Sequence, residues 1–200
     1  MPKERIITGI DIGSTKIATT VAVVDDKKIS VIGVSGNVPS KGIKKGFVSK
    51  IDGAVEAIAH SLERAERMAG VSVSSAFVTV NGSHIETRNS HGVVAVSPHQ
   101  SSEISAEDVA RVTEAAQAIS LPNSREIIHV IPRDFVVDSQ DGIKDPVGMT
   151  GNRLEVETNI LHGSSTALIN LTKCIEQVGV SVEELIFTGI ASAEAVLTDT

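Results

Sequence analysis

The sequence is poor in the residues that staple or stack. It has one cysteine, no tryptophan, no tyrosine and four phenylalanines in 200 residues. A lone thiol, Cys174, forms no internal disulfide, which excludes the cross-linked secreted scaffolds and agrees with a reducing compartment. Its place in an apolar helical stretch reads as a small buried side chain. So few rings build no stacking platform for nucleic acid, and a net charge of −7 supplies no basic field for a phosphate backbone. Nucleic acid is therefore not an expected partner. No apolar run approaches the about 18 residues that a spanning helix needs; the longest, Ile17 to Val24, is far shorter. The start, Met1-Pro2-Lys3-Glu4-Arg5, lacks the apolar core of a secretory signal, so the expected location is cytoplasmic.

Several chemistries are missing too. The six histidines, His60, His84, His91, His99, His129 and His162, show neither i, i+4 pairing nor cysteine neighbours, so no metal cluster is expected of them. Asp134, Asp138, Asp141 and Asp145 gather in one stretch without calcium-loop spacing and read as a solvated loop. No Gly-Lys dipeptide, G-x-G-x-x-G or G-x-S-x-G occurs, which removes the P-loop, Rossmann and α/β-hydrolase readings.

The composition is that of a globular chain, with 41% hydrophobic and 22% charged residues. Basic residues outnumber acids 9 to 4 over 1–50, and acids outnumber bases 16 to 6 over 101–200. The basic cluster Lys41, Lys44, Lys45 and Lys50 reads as a solvated loop.

Hydrophobic periodicity predicts strands over Ile6–Ile12, Ile17–Val24 and Ile29–Val34, joined through Asp25 to Lys28 as an antiparallel meander. A Gly- and Lys-rich loop, Pro39 to Gly46, follows. Asp52 is the expected cap of a helix that Gly70 ends, and Ser75–Val80 is the next strand. The middle third reads differently: strands Ile85–Arg88 and Gly92–Val96, a helix opened by a capping box at Ser105-Ala106-Glu107-Asp108 and stopped by Leu121-Pro122-Asn123, then strands Glu126–Ile131, Phe135–Val137 and Asn152–Leu161. Pro132 is expected to break the run. The end returns to α/β order, with a helix from Ser165 to Val178, a strand Leu185–Thr188 and a short helix Ser192–Leu197. A chain that stops directly after such a helix is expected to be the first part of a longer protein.

The segment Gly9-Ile10-Asp11-Ile12-Gly13-Ser14-Thr15-Lys16-Ile17-Ala18 is the most informative. Gly13 lets a backbone approach an anion, turn N–H groups with the Ser14 and Thr15 hydroxyls can donate to phosphate oxygens, and Lys16 adds a positive charge. Asp11 could hold a hydrated Mg²⁺. The residues alone fit an ordinary hairpin as well as a phosphate turn.

Three further stretches join it: Pro39-Ser40-Lys41-Gly42-Ile43-Lys44-Lys45-Gly46, Asn81-Gly82-Ser83-His84-Ile85, and the long run from His129-Val130-Ile131-Pro132-Arg133-Asp134-Phe135 to Met149-Thr150-Gly151-Asn152-Arg153-Leu154-Glu155. With Leu185-Ile186-Phe187-Thr188-Gly189-Ile190-Ala191-Ser192 near the end, the chain resembles, from about Arg5 to Thr200, the FtsA family of bacterial cell-division actins, within the actin, Hsp70 and sugar-kinase superfamily. The resemblance implies an α/β fold in which an actin-like (ribonuclease H-like) subdomain, 1A, at 1–83 and 163–200, is interrupted by a small α+β module, 1C, at 84–162. It implies ATP and Mg²⁺ as cofactors, with Gly13, Ser14, Thr15 and Lys16 on the phosphates and Asp11 organising Mg²⁺ through water. It further implies FtsZ as a partner through a lobe absent from these residues, later division proteins through 84–162, and self-association into filaments. Attachment to the cytoplasmic face of the inner membrane, through an absent C-terminal helix, completes the implied set. At most a slow ATPase is expected of the family, and only weak nucleotide binding without hydrolysis from these 200 residues. The competing readings are a type IV pilus assembly actin homologue, against which Ile143 to Glu155 argues, a partner-binding module with a vestigial nucleotide site, and a small-molecule kinase, for which no acid stands in a catalytic context.

Overall fold

In the computed structural model, residues 5–25, 28–96 and 103–198 are described. Met1 to Glu4, Asp26 and Lys27 of the expected turn, His99 and the end at Thr200 lie outside them. Contacts divide the chain into two units, Met1–Ile85 with Ser164–Thr200, and Glu86–Gly163.

The first unit opens with β1 (Arg5–Ile12), β2 (Lys16–Asp25) and β3 (Lys28–Val34), an antiparallel meander in which Ile12 pairs with Ile17 and Val24 with Ile29. The stretch expected as a loop carries three two-residue strands: β4 (Val38–Pro39), which pairs with β2, then β5 (Ile43–Lys44) and β6 (Phe47–Val48), which pair with each other. Helix α1 (Ile51–Ala69) begins after Lys50, with Asp52 inside the first turn and no side-chain cap, so the carboxylate acts on the helix dipole rather than as the expected cap. Gly70 closes the helix in the left-handed conformation.

Strand β7 (Ser75–Val80) then lies parallel to β1. After the second unit, α3 (Ser165–Glu176) leads to β12 (Ser181–Phe187), which is parallel to β7, and to α4 (Thr188–Val196). Strand β12 starts four residues before the expected Leu185 because pairing with β7 organises the polar Ser181 to Glu184. The strand order is β12-β7-β1-β2-β3, with β1, β2 and β3 antiparallel and β7 and β12 parallel to β1.

Alternation puts Ile10, Ile12, Ile17, Val21, Val78 and Val80 into a core closed by Ile58 and Leu62 of α1 and Leu168 and Ile175 of α3. Cys174 is fully buried there, as expected, and burial pushes its thiol pKa up. Under α1, Ser61 Oγ donates to Ser35 Oγ (2.9 Å), Ser35 Oγ donates to Gly36 O (2.7 Å), and Thr19 Oγ1 lies 2.8 Å from Ser61 Oγ. Each hydroxyl has one proton, so Thr19 must be the donor to Ser61. Ser61→Ala strands that buried proton, and we expect a loss of about 1–3 kcal/mol in the denaturant unfolding free energy.

The second unit has β8 (Glu86–Ala95), α2 (Ala106–Gln117), β9 (Arg125–Val137), β10 (Gln140–Ile143) and β11 (Arg153–Ser164), the sheet running β10-β9-β11-β8. Two expected strands merge into β8, because Asn89 and Ser90 sit in the ladder: Asn159 Nδ2 donates to Asn89 Oδ1 (2.9 Å) and Thr158 Oγ1 to Ser90 O (3.2 Å). Strand β9 passes through Pro132 unbroken. Its hairpin with β10 pairs only Phe135 and Val137, so a residue without an N–H lies beyond that ladder. The acidic stretch spans this hairpin and the turn after it, with Asp138, Asp141 and Asp145 exposed as expected: Asp138 accepts from the N–H groups of Asn152 (3.0 Å) and Arg153 (2.9 Å), and Asp134 pairs with Lys144.

Helix α2 has the expected capping box, Ser105 with Asp108, but stops at Gln117, ahead of the expected stop. Its backbone lies on Gly92, where a Cβ would come 2.3 Å from Val112 O. Val112 and Ala116 pack there against Phe135, Val137, Leu154 and Val156.

One histidine of this unit makes its stability depend on pH. Arg125 donates through Nε to His162 Nδ1 (3.0 Å), so the neutral ring carries its proton on Nε2. Burial first, and the Arg125 charge second, hold His162 below the ordinary imidazole pKa; Arg88 adds to this and Glu86 opposes it. A depressed folded pKa leaves stability intact above about 6.5 and removes it as pH falls from there, because the unfolded chain takes up the proton first. The denaturant midpoint is therefore expected to fall between pH 7.5 and 5.5, and His162→Gln should flatten that slope.

Candidate functional site

The β1–β2 turn is where the two readings of the hairpin separate. Gly13 N–H donates to Lys16 O (2.9 Å), so the turn closes on itself and that amide is not available to a ligand. The N–H groups of Ser14 and Thr15 have no partner among the described residues, and Ser14, Thr15 and Lys16 are exposed. A Cβ on Gly13 would stand 2.9 Å from Lys16 O, so a side chain does not fit without moving the turn.

The turn is held from outside. Ser40 N–H donates to Thr15 O (3.0 Å), Gly46 N–H donates to Ser14 Oγ (3.2 Å), and β4 pairs Pro39 with Lys16. Ser40 Oγ is buried without a hydrogen-bond partner among the described residues. Of the basic cluster, Lys41 is tied to Glu56 at 2.9 Å, which, with the Lys41 charge, lowers the Glu56 pKa.

Asp11 stands one residue inside the strand end, opposite Ala18. Ile10 and Ile12 point into the core, so Asp11 points to the other face, into a cavity of about 270 Å³ shared with Gly9, Ala18, Thr20, Phe77 and Thr79. Its Oδ1 accepts from Thr79 Oγ1 at 2.6 Å. At the neighbouring strand ends, Asn81 Nδ2 donates to Ile12 O (3.2 Å) and to Thr188 Oγ1 (3.4 Å), and Thr188 Oγ1 donates to Val80 O (3.2 Å).

Asp11 and the four turn residues, separated only by the buried Ile12, thus sit at one end of the sheet, with two amides free among the described residues, two hydroxyls and an exposed ammonium. This donor set suits an anion. Sequence reasoning missed Thr79, Asn81, Thr188 and Ser40, and did not foresee that Gly46 braces Ser14. None of them shares a local motif with the turn. Among the described residues there is no cluster of metal-ligating side chains, and no helix is long and apolar enough to cross a membrane.

Residues 82–162 match the family described as the SHS2 domain inserted in FtsA. The cell division protein FtsA of Pseudomonas aeruginosa is 38% identical over 196 residues, 98% of this chain and 46% of that protein. That of Bacillus subtilis is 41% identical over 198 residues, 99% of this chain and 44% of that protein. The chain therefore spans about half the length of the curated relatives it matches. Among solved structures, the PilM-PilN type IV pilus biogenesis complex aligns with a TM-score of 0.65 over 94% of this chain and 49% of that one; at 13% identity the likeness shows the fold alone. The chain has the actin-like α/β fold with an inserted module that the resemblance implies, and along nearly its whole length it is similar to cell division proteins FtsA, with residues 82–162 matching the domain inserted in them.

Proposed function

We propose that this chain forms the first phosphate-binding lobe of an ATP-binding cell-division protein that tethers the FtsZ ring to the inner membrane. The single observation that carries the nucleotide part is the turn from Gly13 to Lys16, whose Ser14 and Thr15 amides are free and whose hydroxyls and ammonium are exposed beside Asp11. Ser14, Thr15 and Lys16 would hold the phosphates, Gly13 would give them access, and Asp11 would hold Mg²⁺ through water. The ion, when bound, neutralises phosphate charge. We assign ATP a switching role in self-association.

The units Met1–Ile85 with Ser164–Thr200 and Glu86–Gly163 correspond on this reading to subdomains 1A and 1C, and the second would recruit later division proteins. FtsZ and the cytoplasmic face of the membrane would be met by parts of a longer protein outside these residues. Likeness to FtsA proteins along nearly the whole chain supports this assignment. The test is equilibrium binding of MgATP to a chain of the relatives' full length. Saturable binding that Gly13→Val removes supports the reading, and binding that survives Gly13→Val overturns the placement of the phosphates.

A further inference from the structure

Thr79 stands beside Asp11 because β1 and β7 are parallel and in register, with Gly9 opposite Phe77 and Ile10 opposite Val78. Its hydroxyl makes two contacts: it donates to Asp11 Oδ1 at 2.6 Å and accepts from Ile12 N–H at 3.2 Å. A hydroxyl has one proton, and here the carboxylate takes it while the backbone of β1 holds the oxygen in place. The β-branched side chain is stiff about χ1, so the donor direction is set by the strand. Asp11 Oδ2 has no partner among the described residues, and Asp11 lines the cavity on the open face of the sheet.

A carboxylate has a broad, roughly two-fold terminal torsion, so an unassisted Asp11 would sample many orientations. The Thr79 bond selects one in which one oxygen is engaged and the other is left over. Mg²⁺ demands near-ideal octahedral geometry and keeps most of its waters, so the direction of that remaining oxygen decides how well a hydrated ion is met. We infer that Thr79 is a positioning residue that engages Asp11 Oδ1 and thereby presents Oδ2 to the hydrated divalent ion of a bound nucleotide. This rests on the proposed nucleotide reading. Groups that orient a metal ligand typically change metal affinity by about 10–100-fold when removed.

The experiment uses a chain of the relatives' full length, methyl-labelled at alanine, with ATP at millimolar concentration and Mn²⁺ in place of Mg²⁺. Paramagnetic broadening of the Ala18 and Ala191 methyls, which line the same cavity as Asp11, reports where the ion sits without requiring tight binding or turnover. Metal-free ATP is titrated separately, and the Ser14 and Thr15 amide shifts report phosphate contact. For Thr79→Val we expect about tenfold more Mn²⁺ to be needed for half-maximal broadening, with the metal-free shifts unchanged and Thr79→Ser restoring the natural value. Thr79→Ala is run alongside, so that the comparison stands if valine prevents folding. Equal Mn²⁺ requirement in Thr79→Val or Thr79→Ala and the natural chain overturns the positioning role and leaves the nucleotide reading in place. Loss of the metal-free shifts as well would make Thr79 a support of the turn, which also overturns it. Absence of both responses in the natural chain overturns the nucleotide reading and this inference together.

Discussion

Valine at position 13 is expected to weaken MgATP binding at least about 100-fold, about 2.8 kcal/mol, in a chain of the relatives' full length. The Cβ alone would stand 2.9 Å from Lys16 O, closer than ordinary contact, and that oxygen is the acceptor of the bond from Gly13 N–H that closes the turn. The Thr15 amide nitrogen is 4.0 Å from that Cβ, so two further methyl groups crowd a donor that the phosphates would use. Opening the turn to seat them turns the free amides away from a common point. The position is not one that only glycine's backbone freedom permits, so the rest of the hairpin, paired from Ile12–Ile17 back to Arg5–Val24, stays formed. Isothermal titration with MgATP and a thermal melt separate the two effects: binding is lost while the melting temperature moves by only a few degrees. An equal affinity in both proteins would mean that the turn is an ordinary hairpin.

A large loss of stability from a small change is expected at Gly46. It has φ of 83°, and a Cβ there would lie 2.0 Å from Asn81 O and 2.5 Å from Gly82 Cα, both backbone atoms that cannot swing away. Left-handed strain alone costs about 1–2 kcal/mol, and the forced separation of two backbone segments adds to it, so Gly46→Ala should lose about 3 kcal/mol or more. Gly36 is the internal control. Its φ of 64° carries the same strain, but its nearest neighbour is the end of the Arg64 side chain at 3.6 Å, so Gly36→Ala should stop near about 1–2 kcal/mol. Urea unfolding of the two variants measures the difference directly. Gly46→Ala also moves the N–H that holds Ser14 Oγ, so nucleotide binding should weaken with stability. Equal costs at the two glycines would show that the loop simply lifts away from Asn81.

What was legible in the sequence was local. Strand β7 was read at its observed bounds, the Ser105–Asp108 box marks the start of α2, and Gly70 marks the end of α1, because each signal lies within a few residues of the feature it sets. The errors have a common cause. Pro132, Asn89 and Ser90 look like breaks to a reader of propensity, yet the strands continue because partners far along the chain supply the pairing. Asp138 is exposed, as its local sequence implies, but the amides of Asn152 and Arg153 that donate to it lie 14 and 15 residues away and no local signal announces them.

The site divides in the same way. Asp11 through Lys16 could be named from one ten-residue stretch. Their supports could not: Gly46 is 32 residues from Ser14, Thr79 is 68 from Asp11, and Thr188 is 107 from Asn81. No spacing within a motif reports contacts made by the parallel pairing of β1, β7 and β12.

The ladder of β8 and β11 has a consequence for how the chain accommodates its insertion. Ten consecutive pairs run from Glu86 opposite His162 to Ala95 opposite Arg153. The segment thus leaves and rejoins the flanking sequence on adjacent antiparallel strands, about 5 Å apart. To residues on either side, everything between Glu86 and His162 has the end-to-end reach of a tight hairpin, however many residues are threaded beyond it. The entropy of closing that long excursion is met inside the excursion by its own zipper, so the crossover from β7 through α3 to the parallel β12 closes as one of ordinary length. Length can therefore be added or removed at the far end of the zipper with little change in the closure term felt by the rest of the chain.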